Sequence, residues 1–161
     1  MGMRLLFAFG ISVQQGVHIL VVDDEASVRL CMKLLLERDG HEVCAVDGGE
    51  AALAQLAQRK FDLVITDFSM PGMDGDELVT RIREINPDQP IIMCTAFVEE
   101  YKIFGEGSVH VDALLLKPFP FEELRECIEQ VLNDGHRDGK SVIPLEIDPP
   151  PPQDFIPPPE P

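Results

Sequence analysis

The chain has 161 residues, and 45% of them are hydrophobic, so it predicts one soluble globular domain with extra segments at its ends. Its 29 acidic residues exceed the 13 Lys and Arg residues, giving a formal net charge of −16. That charge repels phosphate backbones and anionic lipids, so we expect no direct nucleic-acid binding. No apolar run approaches the roughly 20 residues of a membrane span, so we also expect no membrane insertion.

Composition divides the chain into three regions. Residues 1–17 contain a short apolar stretch that resembles a signal peptide only weakly, and we interpret them as a poorly ordered N-terminal extension or an added strand. Residues 18–134 carry the pattern of a folded domain. Residues 135–161 hold most of the 14 prolines and predict a disordered, acidic, Pro-rich tail or linker, with docking in an aromatic groove as the alternative.

Short apolar β-type runs alternate with helix-type periodic runs within the central region. This alternation predicts a parallel sheet that is covered by helices on both faces. The five predicted strands are 18–23, 42–46, 61–67, 90–95 and 112–117. Segment 98–110 predicts only a short or mobile helix, because Gly105 and Gly107 disfavour a helix interior.

The four cysteines lie far apart in apolar segments and show no CxxC spacing. We therefore interpret them as buried thiols of a protein in the reducing cytoplasm. They are Cys31, Cys44, Cys94 and Cys127.

Polar side chains end four of the predicted strands. Asp23 and Asp24 end the first strand, Asp67 the third, Thr95 the fourth and Lys117 the fifth. Each alone is explained by a helix cap, a turn or a solvated surface. Because the carboxyl ends of parallel strands meet at one edge of the sheet, the combination favours a functional site there.

Three carboxylates at one sheet edge repel one another unless a cation neutralises them. Oxygen ligands without nearby His or Cys favour Mg²⁺, which is typically shared between carboxylates and substrate phosphate oxygens. Lys117 can neutralise Asp67 and later pair with phosphate oxygens, while the Thr95 hydroxyl donates to the same oxygens. Asp67 is then the predicted nucleophile that forms an acyl phosphate.

Four segments, "VVDDE", "VITDFSMPGMDG", "MCTA" and "LLLKPF", resemble the signature segments of response-regulator receiver domains from two-component signalling. The resemblance covers about residues 18–134. It implies an α/β fold, namely a three-layer, doubly wound, flavodoxin-like receiver fold. Its five-stranded parallel sheet has the order 2-1-3-4-5 and is accompanied by five helices.

The resemblance also implies the roles of individual residues. Asp23, Asp24 and Asp67 correspond to the Mg²⁺ acids, and the backbone carbonyl of Ser69 corresponds to a further ligand. Asp67 corresponds to the phospho-acceptor.

Further positions of the resemblance concern the conformational switch. Thr95 corresponds to the switch hydroxyl, and Lys117 corresponds to the phosphate-pairing cation, followed by a cis peptide bond to Pro118. The family usually carries Tyr or Phe three residues before this lysine, whereas this chain has Leu114. The aromatic half of the usual switch is therefore missing.

The function implied is that of a phospho-acceptor that catalyses only its own phosphorylation and dephosphorylation. Its expected partners are a sensor histidine kinase or histidine phosphotransfer protein and an unidentified output protein or domain, and phosphorylation-dependent homodimerisation stays open. One alternative is a binding module with a vestigial site, which the intact acids, Thr95 and Lys117 disfavour. Another is a haloacid-dehalogenase-type phosphohydrolase, which requires an Asp-x-Asp motif and a cap domain that the sequence lacks.

Overall fold

A computed structural model describes residues 16–96 and 111–134 of the chain. The described residues form five strands and four helices. The strands are β1 (His18–Val22), β2 (Glu42–Val46), β3 (Leu63–Asp67), β4 (Ile91–Thr95) and β5 (Ala113–Leu116). The helices are α1 (Ala26–Arg38), α2 (Gly49–Gln58), α3 (Gly75–Ile85) and α4 (Phe121–Asp134).

The five strands form one parallel sheet in the order β2-β1-β3-β4-β5. This order confirms the predicted topology, and the strand bounds differ from the prediction by at most two residues at each end. Asp67 lies opposite Cys94, and Thr95 lies opposite Leu116. The ends of β3, β4 and β5 therefore lie side by side at the carboxyl edge of the sheet.

Alternate residues of each strand enter different halves of the core. Ile19 and Val21 of β1 pack in a cluster with side chains of α1 and α4, whereas Leu20 and Val22 pack in a second cluster with α2 and α3. Burying each such aliphatic side chain contributes roughly 1.5–3 kcal/mol. The sheet is therefore the middle of three layers, as predicted. No helix in the described ranges is long and apolar enough to cross a membrane.

The prediction that all four cysteines are buried is wrong for Cys31, which is exposed, and Cys44 is only half-buried. Cys94 and Cys127 are buried as predicted, and burial raises the pKa of both thiols, that of Cys127 to about 11. Helix α1 is apolar on more than its core face, so its sequence does not reveal which side is buried. Its exposed side carries the leucines Leu30 and Leu34 in addition to Cys31.

Several predictions fall on residues outside the described ranges. These are most of the N-terminal extension, the weak helix at 98–110 and the Pro-rich tail. Val17, at the end of the predicted extension, packs against the core and donates its N–H to Nδ1 of His41 at 3.5 Å.

Candidate functional site

The ammonium group of Lys117 joins two of the predicted acids at the carboxyl edge. Its Nζ donates to Oδ2 of Asp23 at 2.9 Å and to Oδ1 of Asp67 at 2.8 Å. The side chains of Asp23 and Asp67 are only 4% and 11% exposed. Two largely buried carboxylates therefore share one cation, which leaves an excess of negative charge among the described side chains at this edge.

This charge distribution changes the acidity of both partners. Burial raises the pKa of Asp67, Lys117 lowers it in part, and the charges of Asp23 and Asp24 raise it further. Burial alone would lower the pKa of Lys117, but its hydrogen bonds to Asp67 and Asp23 raise that pKa to about 12. Lys117 is therefore fully protonated at neutral pH.

The loop between β1 and α1 carries three consecutive acids, Asp23, Asp24 and Glu25. The N–H of Asp23 donates to the Val46 carbonyl at 3.2 Å, and Oδ1 of Asp23 accepts from the N–H of Glu25 at 2.8 Å. One guanidinium nitrogen of Arg29 donates to the carbonyls of Asp23 and Asp24, at 2.7 and 2.8 Å. Asp23 is buried, whereas Asp24 is exposed.

The loop after Asp67 is held against the sheet by backbone hydrogen bonds. The N–H of Phe68 donates to the Cys94 carbonyl at 2.9 Å, and the N–H of Gly75 donates to the Phe68 carbonyl at 2.8 Å. A Cβ on Gly75 would lie 2.4 Å from the Asp67 carbonyl oxygen, so glycine is required for this close approach. Ser69 is exposed within this loop.

Thr95 and Lys117 also lie at the carboxyl edge, whereas Leu114 lies within β5. Thr95 is 1% exposed, and its carbonyl accepts from the N–H of Lys117 at 2.7 Å. The peptide bond between Lys117 and Pro118 is cis, as predicted. Leu114 is half-buried and packs against the cluster that contains the α2 and α3 side chains.

The donors at this edge have the chemistry that a hard divalent cation requires, because they are carboxylate oxygens. Among residues 16–96 and 111–134, however, no three His, Cys, Asp or Glu side chains are arranged closely enough to hold a metal ion. Lys117 lies between two of the three predicted acids instead. Oδ2 of Asp67 makes no hydrogen bond to a described residue, and the Asp67 side chain is 11% exposed. The acids therefore match Mg²⁺ in ligand type and in charge, although their side chains do not surround one position in this arrangement.

Sequence reasoning missed two residues that shape the site. Gly75 brings α3 close to Asp67, and its only sequence signal is a glycine directly after the helix-capping Asp74. Arg29 lies in the second turn of α1 and contacts the loop that carries the acids. The sequence shows only an arginine five residues after Asp24. Which backbone carbonyls it contacts depends on the conformation of the loop.

The chain belongs to the response regulator receiver domain family, whose family model matches residues 19–129. It is thus a receiver domain of the two-component response-regulator type. The phosphate regulon transcriptional regulatory protein PhoB of Pseudomonas aeruginosa is 37% identical over 134 residues, which are 82% of this chain and 58% of PhoB. The chemotaxis protein CheY of Bacillus subtilis is 33% identical over 117 residues, which are 72% of this chain and 98% of CheY.

Solved structures agree with this assignment. The response regulator TrrA of Thermotoga maritima, in complex with Mg(2+)-BeF, is 34% identical with a TM-score of 0.64, covering 71% of this chain and 98% of TrrA. The chemotaxis response regulator CheY4 of Vibrio cholerae is 33% identical with a TM-score of 0.66, covering 73% of this chain and 99% of CheY4. Against the transcriptional regulators PhoB and ResD, the chain spans only 58% and 44% of their length.

Proposed function

We propose that this protein is a phospho-accepting signalling module, in which Asp67 receives a phosphoryl group in the presence of Mg²⁺. The donor is a sensor histidine kinase or a histidine phosphotransfer protein. The receiver domain would occupy residues 18–134, between an N-terminal extension at 1–17 and a Pro-rich tail or linker at 135–161. The protein is not an enzyme in the usual sense, because the only reactions it promotes are its own phosphorylation and dephosphorylation.

The observation that carries this proposal is the pair of hydrogen bonds from Lys117 to Asp23 and Asp67. The ammonium holds Oδ1 of Asp67, which leaves Oδ2, without a hydrogen bond to a described residue, as the oxygen that would attack an incoming phosphorus atom. Once Asp67 carries phosphate, the same ammonium can pair with phosphate oxygens, because a charge-assisted hydrogen bond strengthens with added negative charge. Lys117 is therefore suited to both the resting and the phosphorylated states.

Phosphoryl transfer joins an oxygen of Asp67 to the phosphorus of a phosphohistidine. The phosphorus–nitrogen bond breaks, its electron pair stays on the imidazole nitrogen, and that nitrogen takes up a proton. Asp23, Asp24, Asp67 and the Ser69 carbonyl would hold Mg²⁺, which supplies positive charge to the transferring phosphoryl oxygens. Hydrolysis later transfers the phosphoryl group to water and restores the carboxylate.

The signal leaves the site through protein–protein contacts. The family resemblance makes Thr95 the switch hydroxyl, and its buried position at the end of β4, next to β3, supports this role. Leu114 occupies the position of the usual aromatic, so that half of the switch differs from the family pattern. The output partner is a protein or a further domain, the compartment is the cytoplasm, and nucleic acid is not contacted directly. Homodimerisation on phosphorylation stays an open alternative.

Incubation with acetyl phosphate and Mg²⁺ tests this function. Intact-mass spectrometry should show one added phosphoryl group on the wild-type chain, and none on Asp67→Asn or in excess EDTA. Asp112→Asn is the matched control, because Asp112 is an acid that precedes β5, at the opposite edge of the sheet. This variant should be phosphorylated on Asp67 as the wild type is. A wild-type chain without an adduct, or an Asp67→Asn variant with an undiminished one, would contradict the proposal.

A further inference from the structure

Among the described residues, Arg29 is the one helical residue whose side chain is hydrogen-bonded to the backbone of the β1–α1 loop, which carries the acids. Its Nη1 donates to the Asp23 carbonyl at 2.7 Å and to the Asp24 carbonyl at 2.8 Å. The two acceptors belong to consecutive residues, so a single guanidinium nitrogen links two adjacent peptide units. Arg29 is half-buried; its hydrogen bond to the Asp23 carbonyl is partly buried, and its hydrogen bond to the Asp24 carbonyl is exposed.

These contacts fix the path of the chain where the acids begin. The Asp23 N–H is held by β2, and the Asp23 carboxylate is held by the Glu25 N–H and by Lys117. The Asp24 carbonyl, by contrast, is held by Arg29. Arg29 therefore holds the peptide unit that follows Asp24, from one turn along α1.

Arg29 makes no hydrogen bond or ion pair with the carboxylates of Asp23 or Asp24, since its hydrogen bonds to these residues go to their carbonyls. A cation in an acidic loop would normally be expected to neutralise the acids. Here the positive charge stabilises the loop through its backbone and leaves the Asp24 carboxylate exposed to solvent.

We propose that Arg29 is a positioning residue for divalent-cation binding, which holds the Asp24 carboxylate where it can share a cation with Asp67. The inference rests on the proposed function, because it assumes that Mg²⁺ binds at this edge. Residues that orient metal ligands without touching the metal typically contribute about 10- to 100-fold to metal affinity. Arg29 belongs to this group of residues and does not contact the transferred phosphate.

The sign of the effect separates positioning from simple electrostatics. If Arg29 acted only through its charge, its removal would tighten Mg²⁺ binding, because a positive charge near a cation site repels the cation. If Arg29 positions the loop, its removal weakens Mg²⁺ binding despite the loss of this repulsion. A residue that only stabilises the fold would lower the melting temperature and leave the affinity of the folded protein unchanged.

Isothermal titration calorimetry with MgCl₂ on the full chain measures whether each variant binds Mg²⁺ more weakly or more tightly than wild type. The titrations are run at a temperature at which thermal melts show that each variant is folded. Arg29→Met should bind Mg²⁺ about 10-fold more weakly than wild type. Arg29→Lys should recover part of the affinity, because an ammonium can still donate to two carbonyls. Arg125→Met is the control for net charge, because Arg125 pairs with Asp39 at 2.7 Å, away from the acids, and it should bind Mg²⁺ like wild type.

Unchanged or tighter binding by Arg29→Met would overturn the inference and leave the proposed function intact. A wild-type chain that does not bind Mg²⁺ would overturn both. If Arg29→Met fails to fold, Arg29→Gln takes its place; its shorter side chain keeps one donor group, so weaker Mg²⁺ binding than wild type is still expected, but by less than for Arg29→Met.

Discussion

The two edges of the sheet bury polar groups in different ways. At the amino edge, Gln89 is 3% exposed, and its amide nitrogen donates to the Phe61 carbonyl at 3.1 Å. The Asp112 carboxylate there accepts from the Ile91 N–H at 2.8 Å and from Arg83 at 3.0 Å. The buried group is therefore a neutral amide, and the exposed Asp112 carboxylate has both a backbone donor and a cation.

At the carboxyl edge the charges do not balance. Lys117 is shared by Asp23 and Asp67, and Asp24 adds a further negative charge whose field reaches Asp67. An excess of buried negative charge costs stability, and proteins retain such a cost mainly where function requires it. The comparison teaches that polar burial alone does not indicate a site, whereas uncompensated charge at the carboxyl edge does.

The largest expected effect comes from the glycine that packs beside Asp67. In Gly75→Ala the new methyl group would lie 2.4 Å from the Asp67 carbonyl oxygen and 2.9 Å from Cα of Phe68. Both are backbone atoms, so the helix or the loop must shift, at a cost of about 1–3 kcal/mol in the free energy of unfolding. The shift should also displace Asp67 and reduce phosphorylation by acetyl phosphate.

Gly48→Ala is the matched control for this substitution. A Cβ on Gly48 meets no atom within 4 Å, and its φ of 177° is extended backbone, so stability should change by no more than about 0.5 kcal/mol. Urea unfolding of both variants measures the difference. Equal stability of the two variants would show that α3 does not depend on the close approach to Asp67.

A smaller effect is expected from pH at the amino edge. Burial lowers the pKa of His41, and Asp39 offsets this in part. Nδ1 of His41 accepts from the Val17 N–H, which requires an unprotonated nitrogen. The unfolded chain takes up a proton near pH 6.5 while the folded chain resists it, so stability should fall as pH drops below about 6.5 toward the lowered folded-state value.

His41→Gln should reduce this pH dependence, because glutamine keeps an acceptor and does not titrate. Melting temperatures between pH 8 and pH 5 for wild type and variant provide the measurement. If the melting temperatures of the two proteins fall in parallel as the pH drops, His41 does not contribute to the loss of stability in acid.

Much of the carboxyl edge could be predicted from sequence, because parallel strands place their carboxyl ends at one edge of the sheet whatever the conformation of the loops. Asp23, Asp67, Thr95 and Lys117 were placed correctly by that rule alone. The exposure of Cys31 could not be predicted, because the apolar residues of α1 continue around the helix.

Contacts to the backbone were equally hidden from the sequence. The hydrogen bonds of Arg29 depend on where the Asp23 and Asp24 carbonyls point, which no periodicity encodes. Of the two acids that bind Lys117, only Asp67 was predicted as its partner. The second hydrogen bond, to Asp23, depends on the distance between β1 and β5, which β3 and β4 separate in the sheet. The sequence thus predicts which side chains lie at the strand ends, but it does not predict their hydrogen-bond partners.

Among the described residues, negative charge is thus in excess at the carboxyl edge, whereas the Asp112 charge at the amino edge is paired with Arg83. Thermal melts in EDTA of Asp24→Asn and Asp112→Asn test it directly, since each substitution removes one acid from one edge. We expect Asp24→Asn to melt about 1–3 °C above wild type, through a few tenths of a kcal/mol of relieved repulsion. Asp112→Asn should melt below wild type, because Arg83 loses its ion pair. An Asp24→Asn variant that melts below wild type, or shifts of the same sign for both, would contradict the account.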